Sequence, residues 1–320
     1  MQPNKVLLIS HIADPDGITP VILARLAFSS VDRILLEPDE VDSKLLELGE
    51  EQLDSYDWIF MIDLSPKEIG ADFINSHPNL KGKFVILDHH IGKLHMNRYS
   101  FIQVVDEDAT GKKQSGTSLF YQYLLEHCSN SLLEQPSVEL FVDLVRSGDT
   151  WEWKSQNRVE AMWLGQLFGI FGKEYFEEHY YQYLARHKEF KFTDEERYLL
   201  EIEQLRLKQY VEKKETEMIP IQLGEYSVAV VFAEQYRSSL GNILAEKYQG
   251  TYDFVVLINV SRSVSYRGVT DVDLSKIAAL YGGSGHIHAS GSPLPKNLAE
   301  TIITLCFSNA KLKKEEDHGL

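Results

Sequence analysis

Short apolar runs alternate with amphipathic stretches through the first part of the chain. Residues 5–10 (K-V-L-L-I-S), 33–36, 57–62 (D-W-I-F-M-I) and 83–87 (K-F-V-I-L) are near-continuous apolar runs and read as buried strands. Between them, residues 19–29 have helical spacing and a second helix-prone stretch precedes Asp57. Pro66 sits where the first turn of a helix running toward His77 tolerates it. Strands of this kind, alternating with helices, predict a parallel sheet covered on both faces. From Gln114 to about Ala185 the pattern is mostly helical, with Ser115 or Thr117 near one N-terminus and Gly148 near a C-terminus. Residues 193–217 are rich in charge, with leucines at helical spacing, and predict a long solvent-exposed connecting helix. Beyond it, 227–233, 253–260 and 264–267 read as strands and 240–247 and 274–280 as helices.

This pattern defines an α/β protein. A parallel-sheet N-terminal domain with helices on both faces is expected over residues 1–190 and a connecting helix over 191–218. A smaller α/β domain should occupy 219–310, followed by a solvated or disordered tail over 311–320. The first ten residues hold one lysine and an apolar run too brief for a signal-peptide core, and no later run approaches a membrane span. A cytoplasmic protein with no membrane partner is expected. Cys128 and Cys306 lack metal-type spacing and read as thiols.

Candidate chemistry collects where the strands end. The first strand runs into H11-I-A-D-P-D-G17, the third into Asp63, and the fourth into D88-H-H90. In an open parallel sheet the C-terminal strand ends share one edge, with strands about 4.8 Å apart, so these groups should converge. Carboxylates so close raise one another's pKa or demand a cation, and a mixture with imidazole suits Mn²⁺ or a related transition metal better than Ca²⁺. Asp149, in V-R-S-G-D-T, could complete the set.

Each element also has an ordinary reading. D-P-D-G is a turn signature, Asp63 before Ser65-Pro66 could cap the next helix, and adjacent histidines can sit in a loop. Their co-occurrence at successive strand ends favours a metal site. In the second domain, Y281-G-G-S-G-H-I-H-A-S-G291 could bring backbone close to a phosphate through Gly282, Gly283 and Gly285, with His286 or His288 as donor, or be a plain surface loop. Arg267 suits bidentate phosphate recognition, or is an uninvolved surface residue. Trp151 and Trp153 read as core packing in preference to base stacking.

With a formal net charge of -16, the chain is unsuited to capturing long duplex nucleic acid, which excess Lys and Arg would neutralise. Any nucleic-acid substrate should be short or handled through metal ions.

From about residue 5 to 309 the chain resembles the DHH phosphoesterase superfamily, through the H-x-x-D-x-D motif at His11, Asp14 and Asp16, Asp63, Asp88-His89-His90, Asp149, and the glycine loop preceded by S-Y-R-G. The first motif departs in spacing, its aspartates lying three and five residues after the histidine. D-P-D-G-I-T and S-G-D-T-W-E-W look most like the bacterial branch that degrades very short RNA, the nanoRNases. The resemblance implies a pair of Mn²⁺ ions (Mg²⁺ or Co²⁺ as alternatives) on His11, Asp14, Asp16, Asp63, His89 and Asp149, with Asp63 bridging. It implies that His90 meets the substrate phosphate while Asp88 orients a histidine, and that Arg267, Gly283, Gly285 and His286 hold the nucleotide from across a cleft. The implied activity is hydrolysis of short oligoribonucleotides to mononucleotides by a metal-activated water. A phosphatase of 3′-phosphoadenosine 5′-phosphate, a phosphodiesterase of linear or cyclic dinucleotides, a pyrophosphate or polyphosphate hydrolase and a non-catalytic nucleotide sensor are the competing readings.

Overall fold

Each apolar run of the N-terminal half becomes a strand, and the three central strands of the sheet are buried on both faces. The computed structural model describes residues 5–307. In it β1 (Val6–His11), β2 (Val31–Leu36), β3 (Trp58–Ile62), β4 (Phe84–Asp88) and β5 (Ile102–Val104) form one sheet in the order β2-β1-β3-β4-β5. Every pair in it is parallel. Val6, Leu8, Phe60, Ile62 and Leu87 enter one core, and Leu7, Ile9, Ile59, Met61, Phe84 and Ile86 the other. The period-two alternation of a strand therefore divides one continuous apolar run between two faces.

The helices are α1 (Pro15–Ala27), α2 (Val41–Asp54), α3 (Glu68–Ser76), the one-turn α4 (Pro78–Lys81), α5 (Gly116–His127), α6 (Pro136–Asp149), the one-turn α7 (Glu152–Ser155) and α8 (Val159–Leu184). Ile22 of α1, Phe120 of α5, Phe141 of α6 and Phe176 of α8 share the core of the first face with Phe60. Leu45 of α2 and Ile74 of α3 fill the second face. α8 is two helical segments meeting at Gly172, whose φ of 70° lies in the left-handed region.

Three local readings are corrected. α1 begins at Pro15, four residues earlier than its apolar spacing shows, because Asp14 caps it. α3 begins at Glu68, past Pro66, and its free N–H groups are taken by α2: Asp42 Oδ1 accepts from Lys67 N at 3.0 Å and Gly70 N at 2.8 Å. The short β5 and the 3-10 helix Ile91–Arg98 that precedes it carry too little periodicity to be read from sequence.

The chain divides into two units between Leu200 and Glu201, inside α9 (Asp194–Thr216). α9 opens with a capping box in which Thr193 Oγ1 accepts from Glu196 N and Glu196 Oε2 accepts from Thr193 N at 2.7 Å. Leu200 packs in the first unit and Val211 in the second.

The second unit is a mixed sheet of β6 (Ile219–Leu223), β7 (Tyr226–Phe232), β8 (Phe254–Asn259), β9 (Ser263–Arg267), β10 (Ser284–Gly285) and β11 (Ala289–Pro293), ordered β10-β11-β9-β8-β7-β6. Only β7 and β8 run parallel. α10 (Arg237–Lys247) covers Ala229, Val231 and Leu257 on one face, and α11 (Leu274–Leu280) covers Val230, Phe254 and Tyr266 on the other. α12 (Leu298–Phe307) follows. β6 went unread because it is an exposed edge strand containing Pro220, with little of the buried-strand pattern.

The tail over 311–320 lies outside the described residues. Among the described residues no helix is long and apolar enough to cross a membrane. Cys128 and Cys306 are both free thiols.

Phe60 is the hub of the first core, stacking on Phe28 and Trp58 and meeting Phe120 and Tyr123. Phe60→Ala should cost about 3–5 kcal/mol, read as a lower midpoint in urea unfolding. An unchanged midpoint would place the core elsewhere.

Candidate metal centre

β1, β3 and β4 are adjacent and parallel, so the residues following them emerge along one edge. His11 ends β1. Asp14 caps α1 with Oδ1, which accepts from Gly17 N at 2.9 Å, leaving Oδ2 3.1 Å from His11 Nδ1. D-P-D-G is thus a helix start and not a free turn. Asp16, in the first turn of α1, is buried and reaches the N-terminus of α5, accepting from Gly116 N at 2.7 Å and Thr117 N at 3.0 Å.

Asp63 occupies the middle. Its φ of 57° is left-handed, a costly backbone for a residue with a side chain, and its N–H donates to Leu87 O at 3.0 Å. It caps no helix. Its Oδ1 lies 3.1 Å from His89 Nε2 and its Oδ2 3.4 Å from His11 Nδ1. Gly116 packs directly on it: a Cβ at 116 would stand 2.5 Å from Asp63 Cβ and 2.9 Å from Asp63 Cα.

The D-H-H triplet divides its labour. Asp88 is buried, and its Oδ1 accepts from His89 N at 2.8 Å, His90 N at 3.2 Å and His90 Nδ1 at 2.7 Å. Burial pushes the Asp88 carboxyl up, but the hydrogen bonds from His90 and the His90 charge outweigh it and hold it below the usual range. His89 turns inward, its Nε2 3.5 Å from Asp149 Oδ2 and 3.8 Å from Asp16 Oδ2. His90 stays more exposed, with Nδ1 3.9 Å from Asp63 Oδ1.

Three overlapping groups result: His11, Asp14 and Asp63; Asp16, His89 and Asp149; and Asp63, His89 and His90. Within each group the potential ligand atoms lie within 4.8 Å of one another. Burial, then repulsion from Asp63, raises Asp16 to about 6. Burial and the neighbouring Asp16 push Asp149 well above the carboxylate range. His11 is raised to about 10 by hydrogen bonds to Asp14 and Asp63, and His89 to about 10 by Asp63 and its fellow acids against the opposing effect of burial. The Asp149 Oδ2 atom is buried and has no hydrogen-bond partner among the described residues. A site crowded with negative charge, lined by carboxylate oxygen and imidazole nitrogen and keeping one oxygen orphaned, fits a divalent transition metal.

Glu37, just beyond β2, completes the edge, with its Oε2 3.6 Å from His11 Nε2. The rule that acids follow strands would have found it, since it follows R-I-L-L.

In the second unit, Arg267 ends β9, and its Nη1 donates to Tyr266 O at 2.9 Å. Gly241 of α10 makes room for it, since a Cβ there would stand 2.6 Å from Arg267 Cγ. Arg267, Arg237, Ser263, Gly283 and Gly285 line an open groove of about 530 Å³. Arg237, which sequence reading missed, donates to Ser263 Oγ at 2.9 Å; its signal was a cation with two serines opening a helix (R-S-S). Gly283 admits no side chain, because the Gly291–Ser292 backbone lies against it. His286 sits exposed on the turn of the β10–β11 hairpin, where its N–H donates to Ala289 O at 2.8 Å, and does not line the groove.

Gly116→Ala should push Asp63 out of place, destabilising the fold by about 1–3 kcal/mol and weakening divalent-metal binding in calorimetry. Gly165→Ala, whose Cβ would meet nothing within 4 Å, is the control and should leave metal binding unchanged. Equal behaviour of the two variants would contradict the packing role.

No family model matches the chain. It is 34% identical over 307 residues to oligoribonuclease NrnB of Bacillus subtilis (strain 168), covering 94% of this chain and 75% of that protein. Among solved structures, the DHH domain of a member of the s1p family of ribosomal proteins aligns over 97% of this chain and 88% of that one, at 14% identity and a TM-score of 0.57. The pGpG-specific phosphodiesterase PggH from Vibrio cholerae aligns over 95% of this chain and 98% of that one, at 10% identity and a TM-score of 0.51. These two likenesses are of fold. Given a relative this similar over nearly all of this chain, and D-H-H standing at the heart of the cluster, the chain belongs to the DHH phosphoesterases, on the nanoRNase branch with oligoribonuclease NrnB, and is a phosphoesterase hydrolase.

Proposed function

We propose that the protein is a cytoplasmic, metal-dependent exonuclease that hydrolyses short oligoribonucleotides to mononucleotides. One observation carries the metal part: the two oxygens of Asp63 face different histidines, His89 through Oδ1 and His11 through Oδ2. His11, Asp14 and Asp63 would hold one ion, and Asp16, His89 and Asp149, with Asp63 shared, a second. Mn²⁺ suits this donor set, with Mg²⁺ or Co²⁺ as alternatives, and such a pair supplies a lowered pKa for the attacking water and shielding of the phosphate charge.

The chain's own residues do the rest. Asp88 accepts a hydrogen bond from His90 Nδ1, which leaves the opposite nitrogen of this half-exposed ring to donate to a phosphate oxygen. The same hydrogen bond raises the His90 pKa and favours its protonated form. Asp16 and Asp14 are fixed by the helix N-termini that they meet, so they are oriented before any ligand arrives. The groove of the second unit, with Arg237, Arg267 and closely packed glycine backbone, has the chemistry of a phosphate or nucleotide site. Identity to an oligoribonuclease and a net charge of -16 both favour a short substrate over a long duplex.

With Mn²⁺ and 5′-labelled RNAs of about two to ten nucleotides, the shortest should turn over fastest to mononucleotides. Asp63→Asn and His89→Ala should each lower kcat/KM by about a hundredfold or more. Full activity in either variant would overturn the assignment, and a preference for 3′-phosphoadenosine 5′-phosphate would make the protein chiefly a nucleotide phosphatase.

A pH dependence follows from the raised histidines. His11 and His89, both at about 10, must lose their protons before those nitrogens can bind a metal. Affinity for Mn²⁺ should therefore rise with pH between 6 and 9, by about tenfold per unit for each proton released. In the metal-free protein the linkage has the opposite sense, because the folded pKa lies above the unfolded one. Their stabilisation is full below about pH 6.5 and lost as pH rises through about 10. Calorimetry in buffers of different ionisation enthalpy measures the released protons, and a pH-independent affinity would contradict the assignment.

A further inference from the structure

We propose that Trp151 is the platform on which a base of the substrate stacks beside the metal cluster. The inference rests on the nucleotide reading above and names the residue that meets the nucleoside.

Core packing, the reading favoured by sequence, holds for only one of the two tryptophans. Trp153 is partly buried against the first core, whereas Trp151 is 53% exposed. Trp151 also stands in the left-handed region, with φ 61° and ψ 8°, where a bulky side chain is disfavoured and glycine would be at ease. An indole that is both exposed and held on unfavourable backbone adds nothing evident to stability, and such strain collects at ligand clamps.

The surroundings hold this conformation from both sides. Thr150 donates to Arg146 O through its N–H and its Oγ1, each at 2.9 Å, and Trp151 N donates to Gly148 O at 3.4 Å. Glu152, on the other side, pairs with the buried Arg146 guanidinium, which also donates to Lys113 O at 2.9 Å. Asp143 takes Arg146, Arg158 and Lys112 together. Trp153 backs the exposed ring, with centroids 6.3 Å apart and planes tilted by 33°.

Position supplies the last link. Trp151 is two residues from Asp149, so their Cα atoms lie within about 7 Å of each other. Asp149 in turn belongs to the cluster with Asp16 and His89. An exposed indole carried on backbone this near the cluster suits an unpaired base, and stacking there would be tolerant of sequence.

The test compares wild type with Trp151→Ala, Trp151→Phe and Trp151→Gly on an RNA dinucleotide and on two analogues, one base-free at the 5′ residue and one at the 3′ residue. Trp151→Ala should raise KM for the dinucleotide by about ten- to a hundredfold, with kcat little changed and Trp151→Phe recovering most of the loss. One base-free analogue should be insensitive to the substitution, which identifies the stacked base. Trp151→Gly should unfold at higher temperature than wild type yet show the same KM defect, a combination that a structural role would not produce. An equal KM for wild type and Trp151→Ala on the dinucleotide would overturn the inference while leaving the nuclease reading intact. Failure of the wild type on all three substrates would remove that reading and this inference with it.

Discussion

Like charge crowded at one sheet edge is the constraint around which the first unit is arranged. Asp14, Asp16, Asp63 and Asp149 gather with His11 and His89 where ligand atoms approach within 4.8 Å of one another, and burial denies several of them water. The protein offsets part of this charge internally. The N-terminus of α1 takes one oxygen of Asp14, the N-terminus of α5 takes Asp16, and the backbone after β4 takes Asp88. Among the described residues, Asp149 keeps a buried oxygen without a hydrogen bond and Asp63 meets only histidines at its carboxylate. Those are the positions at which a cation is wanted.

This arrangement explains features that stability alone does not. Asp63 accepts left-handed backbone because that turn sends its carboxylate between His11 and His89. Gly116 must lack a side chain because α5 has to bring its first N–H groups to Asp16 while lying against Asp63. The buried core supports both, since α1 and α5 pack with Phe60 and Ile62 in the face of the sheet beneath them. Packing, capping and the site are thus one set of contacts.

Much of this was legible in the sequence, and what was not has physical reasons. Buried parallel strands announce themselves by unbroken apolar runs, and the acids and histidines that follow them could be placed at one edge by topology alone. Asp14 as a helix cap was hidden because D-P-D-G also spells a turn. The contact between Asp16 and the start of α5 spans a hundred residues, and no local pattern records it. β6 escaped because an exposed edge strand lacks the buried pattern, and Arg237 because its one signal, a cation with two serines opening a helix, gains meaning only when the fold brings it into a groove with Arg267. Trp151 and Trp153 differ in burial though they are two residues apart, a distinction set by the left-handed turn at 151.

The most direct measurement is electron paramagnetic resonance of the protein titrated with Mn²⁺, with bound metal counted in parallel. If the two oxygens of Asp63 join two sites, the wild type should take up two ions per chain and show the spectrum of a magnetically coupled pair. Asp63→Asn should then lose the coupling. A single bound ion, or two ions whose spectra remain independent at saturation, would contradict the shared carboxylate on which the proposed chemistry depends.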